Sequence, residues 1–190
     1  MDIIIENLYK KYGKKEVFNN FSTLIKENQT NIIMGESGSG KTTLLRILMS
    51  LDKDYAGRIL NLPQNISAVF QENRLCEKFT VYDNLAMVCR GDNREDIRKN
   101  LERIDLGATC WQKVSELSGG MKRRIAILRS LLIDYDLILM DEPFKGMDDE
   151  TKDKMCRFVA GKIAGKTAII VTHDASEKEY FAANLIKIGK

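Results

Sequence analysis

Short β-rich runs at Ile3–Ile5, Asn31–Met34, Ser67–Phe70, Leu137–Met140 and Ala168–Val171 alternate with longer stretches whose apolar residues recur at helical spacing. That alternation predicts an α/β domain in which parallel strands are buried between helices. Residues 74–115 have another texture. Ile97, Leu101 and Ile104 fall at i, i+4 and i+7 among charged residues, and Leu85, Ala86 and Val88 mark a further helix, with no β-rich run between them. This segment reads as a small helical lobe inserted in one domain spanning residues 1–190. Only Pro63 and Pro143 interrupt as prolines, and no internal repeat or low-complexity linker is present.

Composition narrows the classes of function. With 190 residues, 44% of them hydrophobic, the chain can bury a sizeable core. Thirty Lys+Arg against 27 Asp+Glu leave a net charge of +3, too small to argue for nucleic acid or an anionic membrane as partner. The run Lys122-Arg123-Arg124 has no interleaved aromatics and reads as solvated surface or interdomain polar contact. Four well-separated cysteines, Cys76, Cys89, Cys110 and Cys156, read as reduced thiols without a metal site. No basic stretch precedes the first apolar residues, so no signal peptide is expected, and no apolar run has the length of a membrane helix.

The chemistry concentrates behind strand ends. Gly35-Glu36-Ser37-Gly38-Ser39-Gly40-Lys41-Thr42-Thr43 has the spacing of a phosphate-binding loop. Glycines there let backbone N–H groups converge, a helix starting near Lys41 adds its N-terminal field, Lys41 reaches the β and γ phosphates, and the Thr42 hydroxyl binds Mg²⁺. At the end of the apolar run Leu137–Met140, Asp141 is placed to hold the metal. Glu142, one residue on, is expected to point elsewhere by strand alternation and from there to activate a water, while Pro143 stops the strand. Ser118-Gly119-Gly120 before the helical run Ile125–Leu132 reads, by itself, as a simple helix cap or as a second anion cradle.

Taken together, GESGSGKTT, VFQEN, LSGGMKRR, LILMDEP, GMDD and VTHD occur in an order that resembles the ATP-binding subunit of ABC (ATP-binding cassette) transporters, from about residue 2 to residue 188. The resemblance implies a P-loop NTPase core with a small N-terminal antiparallel β subdomain and an inserted helical lobe. It implies ATP and Mg²⁺ as cofactors, adenine stacked on Tyr12, Gln71 contacting metal or water and hinging the lobe, and His173 beside the γ-phosphate and Glu142. It further implies a head-to-tail homodimer or paired nucleotide-binding subunit, in which Ser118, Gly119 and Gly120 close on the partner's nucleotide and Asp148 communicates across the interface. An integral membrane permease, an extracytoplasmic substrate-binding protein in importers, and a peripheral place on the cytoplasmic face of the membrane complete the implied setting.

The lobe would receive a permease helix near Arg74, Leu75, Cys76, Phe79 and Tyr82, with Trp111 packing it against the signature loop. The block VFQENRLCEKFTVYDNLAMV is most similar to importers of the nitrate, sulfonate and taurine type. Departures are a shortened Lys41–Gln71 interval with GRILNL as the remnant of its β subdomain, Phe144-Lys145-Gly146-Met147 in place of a frequent serine-alanine-leucine run, and an end soon after Ile188 that leaves no room for a regulatory domain. A soluble ABC-type ATPase of repair, translation or cluster assembly is the alternative, though those usually carry a coiled-coil insert or tandem cassettes. Intact Lys41, Asp141 and Glu142 argue against an inactive binding module.

Overall fold

Alternation along three fully covered strands organises the core. Leu137 and Leu139 pack with Ile33, Ile169 and Val171 on one sheet face, whereas Ile138 and Met140 pack with Ile32, Ala168 and Ile170 on the other. Side chains at successive strand positions point to opposite faces, so continuous apolar runs are what a sheet covered on both sides requires. The computed structural model describes residues 1–89 and 94–189.

The elements are β1 (Ile3–Tyr12), β2 (Lys15–Ile25), β3 (Thr30–Met34), α1 (Lys41–Leu48), β4 (Ala56–Leu60), β5 (Ile66–Val69), α2 (Val81–Ala86), α3 (Arg94–Arg103), α4 (Gly119–Leu132), β6 (Leu137–Asp141), α5 (Asp149–Ile163), β7 (Thr167–Val171) and β8 (Ala183–Lys187). A five-stranded parallel sheet runs β5-β6-β7-β3-β8, and a three-stranded antiparallel sheet runs β2-β1-β4. The helix α1 and the antiparallel sheet cover one face of the parallel sheet; α4, α5 and the lobe cover the other. This is a P-loop NTPase core with an N-terminal antiparallel sheet and inserted helical segments.

Several element limits differ from expectation. The strand expected at Ile3–Ile5 runs on to Tyr12, and β2 and β8 were not among the expected runs. β2 pairs along β1 with Asn7 and Asn20 in left-handed conformation and register shifts between Ile5 and Lys11, irregularity that blurs a period-2 pattern. Phe70 lies just beyond β5. GRILNL largely forms β4, which pairs with β1. Within 74–115, α2 starts on a capping box of Thr80 and Asp83 but stops at Ala86, so Val88 belongs to the following turn. Ile104 is likewise just past α3, although buried. Residues 90–93 of this segment lie outside the described residues.

Candidate active site

Two glycines of the phosphate loop are demanded by the chain's own packing. Gly40 has φ +102°, and a Cβ there would lie 2.7 Å from Val17 Cγ1 and 2.9 Å from the Phe18 ring. A Cβ on Gly35 would lie 2.2 Å from the Ile188 carbonyl at the end of β8. Gly40 caps α1 without a side-chain acceptor, and the first turn holds no acid, so that helix end is open to an anion. The buried Lys41 Nζ donates to the Gly35 and Glu36 carbonyls, each at 2.7 Å. An ammonium has three protons, so one remains for a phosphate oxygen.

The loop is one wall of a 460 Å³ cleft at the C-terminal ends of the parallel strands, where open α/β sheets hold their ligands. Gly35, Ser37, Gly38, Gly40, Lys41, Thr42 and Thr43 face it; Glu36 and Ser39 do not. Tyr12 stands at the far side, with Gln71 after β5, Asp141 and Glu142 at the end of β6, and His173 after β7. Twelve of the expected site residues thus converge from segments scattered over the chain. Ser118, Gly119, Gly120 and Asp148 are exposed and outside the cleft. Ser118 caps α4 by accepting from the Met121 N–H, and Asp148 caps α5 by accepting from the Thr151 N–H.

Thr42 Oγ1 donates to Asp141 Oδ2 at 2.8 Å, while Asp141 Oδ1 is buried with no hydrogen-bond partner. Burial pushes the Asp141 carboxyl up, the Thr42 hydroxyl pulls it back, and the neighbouring Glu142 charge adds to the rise. A hard divalent cation would relieve both the orphaned oxygen and the like-charge pair. Among the described residues no cluster of three or more His, Cys, Asp or Glu side chains could hold a metal. Few protein oxygens beside a phosphate site suit Mg²⁺ better than a cation needing a full protein cage.

Glu142 departs from the expected alternation, since it faces the same cleft as Asp141. Its φ of +45° is the cause: the following proline disfavours the right-handed region, and the left-handed kink turns the side chain towards the mouth of the cleft. There Oε1 lies 3.2 Å from His173 Nδ1, and Oε2 lies 2.6 Å from Lys145 Nζ in an ion pair that lacks hydrogen-bond alignment. Burial raises the Glu142 carboxyl, but Lys145 and His173 outweigh it and hold it below its usual value.

Sequence reasoning missed four contributors. Lys15 and Val17 line the cleft from β2 and were discoverable as i, i+2 neighbours across the hairpin from Tyr12. Lys145 carried no signal beyond its place three residues after Glu142. Arg123, expected as solvated or interdomain, is instead buried. Its Nε donates to the Pro143 carbonyl at 2.8 Å, and Nη2 donates to those of Glu142 and Asp141 at 2.9 and 3.0 Å. Nη1 donates to the carbonyls of Phe70 and Gln71. One guanidinium therefore fastens α4 to the two loops bearing Gln71 and Glu142. Trp111 also departs from expectation: it is 61% exposed, and its ring lies against Tyr82 at 4.9 Å between centroids, tilted by 37°.

The family model for ABC transporters matches residues 18–145. An aliphatic sulfonates import ATP-binding protein of Paracoccus denitrificans is 35% identical over 97% of this chain and 78% of its own length, and one of Pseudomonas aeruginosa is 32% identical over 98% and 71%. A sulfate/thiosulfate import ATP-binding protein of Mannheimia succiniciproducens is 34% identical over 93% of this chain but 56% of its own length. Among solved structures, a dimeric ATP-binding cassette in a post-hydrolysis state with ADP and Pi superposes with TM-score 0.83 at 28% identity, covering 98% of this chain and 94% of that one. With relatives above 30% identity spanning it nearly end to end, the chain belongs to the ABC transporter family as an ATP-binding domain, a P-loop ATPase.

Proposed function

We propose that two copies of this domain, or one copy and a paired subunit, hydrolyse ATP between them and drive a membrane permease. The observation that carries the dimer is a contrast among glycines. Gly35 and Gly40 have no room for a Cβ within their own chain, whereas a Cβ on Gly119 or Gly120 would meet nothing within 4 Å. Two adjacent glycines opening a helix cost backbone entropy without serving this chain's packing, and bare backbone beside the Ser118 cap fits an anion carried by another molecule. A nucleotide held in the partner's cleft supplies it: Ser118 and the first N–H groups of α4 approach the terminal phosphate, and Gly119 and Gly120 let them come close. The dimeric arrangement reported for the similar solved cassette supports this reading.

Within each composite site the adenine stacks on Tyr12, the phosphates lie in the loop from Gly35 to Thr43, and Lys41 donates to the β and γ oxygens. Thr42, Asp141 and Gln71 would hold Mg²⁺, which when bound offsets charge developing on the phosphates. Glu142 accepts the proton of the attacking water, and His173 orients that water or the γ-phosphate. Asp148, next to the partner, links the two sites. Release of phosphate removes the tie between the copies and favours opening.

The exposed aromatic group on the lobe favours a permease over a purely soluble role. Phe79 and Met87 are each 51% exposed, and the exposed Trp111 lies 4.9 Å from the Tyr82 ring in the same segment. No helix among the described residues is long and apolar enough to cross a membrane, so transport would need a separate spanning subunit. The relatives suggest import of a sulfur oxyanion or sulfonate, delivered by a substrate-binding protein, with this domain peripheral on the cytoplasmic side. Replacing Glu142 by Gln tests the mechanism. ATP binding should persist, turnover should fall by about 10²-fold or more, and ATP should shift the protein to a dimer in sedimentation. Undiminished turnover would exclude Glu142 as the base.

A further inference from the structure

Tyr12 ends β1 in the wall of the cleft, with 48% of its surface exposed. A base platform that swings freely would lose rotamer entropy each time a nucleotide binds. The structure removes that freedom with a charged pair. Lys10, two residues earlier and therefore on the same side of β1, is only 2% exposed. Its Nζ donates to Asp52 Oδ1 at 2.7 Å and to the Asp54 carbonyl at 2.5 Å, which satisfies a cation otherwise costly to bury. The second oxygen of Asp52 accepts from the Tyr12 hydroxyl at 2.5 Å. Lys10 Nζ also sits 4.6 Å from the Tyr12 ring centroid, over the ring. Asp52 itself follows α1 and donates its N–H to the Arg46 carbonyl of that helix.

We propose that Asp52, oriented by buried Lys10, is a positioning residue that fixes the Tyr12 ring as a platform for the adenine base. The inference rests on the reading of Tyr12 as the stacking aromatic. It adds a physical link: the start of α1 holds phosphate, and the turn after its end latches the group that holds the base. Phosphate and base ends of the nucleotide are thereby set at a fixed separation by one short helix.

Binding of Mg-ADP and of magnesium pyrophosphate, measured by calorimetry, separates the two ends of the site without hydrolysis. Tyr12→Phe removes only an exposed hydroxyl and should weaken ADP binding about two- to tenfold, the size of one hydrogen bond, while pyrophosphate binding stays unchanged. Asp52→Asn should do the same, and the double variant should be no worse than either, because both remove one link. Tyr12→Phe binding ADP as tightly as the wild type, with Tyr12→Ala weakened, would overturn the positioning role and leave the stacking intact. Tyr12→Ala binding ADP normally would overturn the stacking itself. Equal losses of ADP and pyrophosphate in Tyr12→Phe and Asp52→Asn would mark a general structural defect and also overturn the proposal.

Discussion

Glu142 is flanked on both carboxylate oxygens, by His173 on one and Lys145 on the other. Asp141 beside it and the Arg123 guanidinium behind its carbonyl complete the charged surroundings. Lys145 lowers the Glu142 carboxyl, so removing that ammonium must raise it. A general base works only when deprotonated, and kcat/KM reports the free protein. Lys145→Met should therefore move the acidic limb of the kcat/KM profile for ATP towards higher pH, leaving the alkaline side in place. A profile measured from pH 5 to 8 checks this, and an unmoved acidic limb would separate Lys145 from the base. Lys41, Thr42 and Asp141 were legible in the chain because each stands in a contiguous motif whose spacing carries its chemistry. Lys145, Asp52 and Lys10 were not, because each acts through a partner that only folding brings near.

At the scale of elements, the parallel strands were legible as uninterrupted apolar runs, and α1 as the helix that must follow a phosphate loop. The strands β2 and β8 escaped because one is irregular and half exposed and the other lies at an edge with an alternating pattern. Arg123 shows how a helix is tied to strand ends at some distance in sequence. Its five acceptors are backbone carbonyls between Phe70 and Gln71 and between Asp141 and Pro143. A lysine has the charge but not the planar fork, so Arg123→Lys should lose about 2–4 kcal/mol of stability, read from urea unfolding. Turnover should fall further than the folded fraction, since the loops of Gln71 and Glu142 lose their common anchor.

For the whole molecule, the open space around Gly119 and Gly120 predicts a separation of stability from activity. Gly120→Ala should leave the unfolding midpoint unchanged or raise it, because alanine favours a helix by about 0.5–1 kcal/mol over glycine, yet should abolish most ATP turnover. Mixing it with a Lys41→Ala variant should restore one intact composite site per mixed dimer, detectable as recovered turnover absent from either variant alone. No recovery at any ratio would count against the shared site.

The amino-acid sequence by itself determined the chemistry of the phosphate end, the order of the motifs and the buried strands, because these depend on residues adjacent in the chain and on the periodicity of one element. Tertiary structure alone decided that Glu142 kinks into the cleft of Asp141, that Arg123 is buried, and that Lys10 and Asp52 restrain Tyr12. Those outcomes depend on which distant backbone carbonyl or carboxylate lies within hydrogen-bond reach, a property of packing that no local pattern encodes.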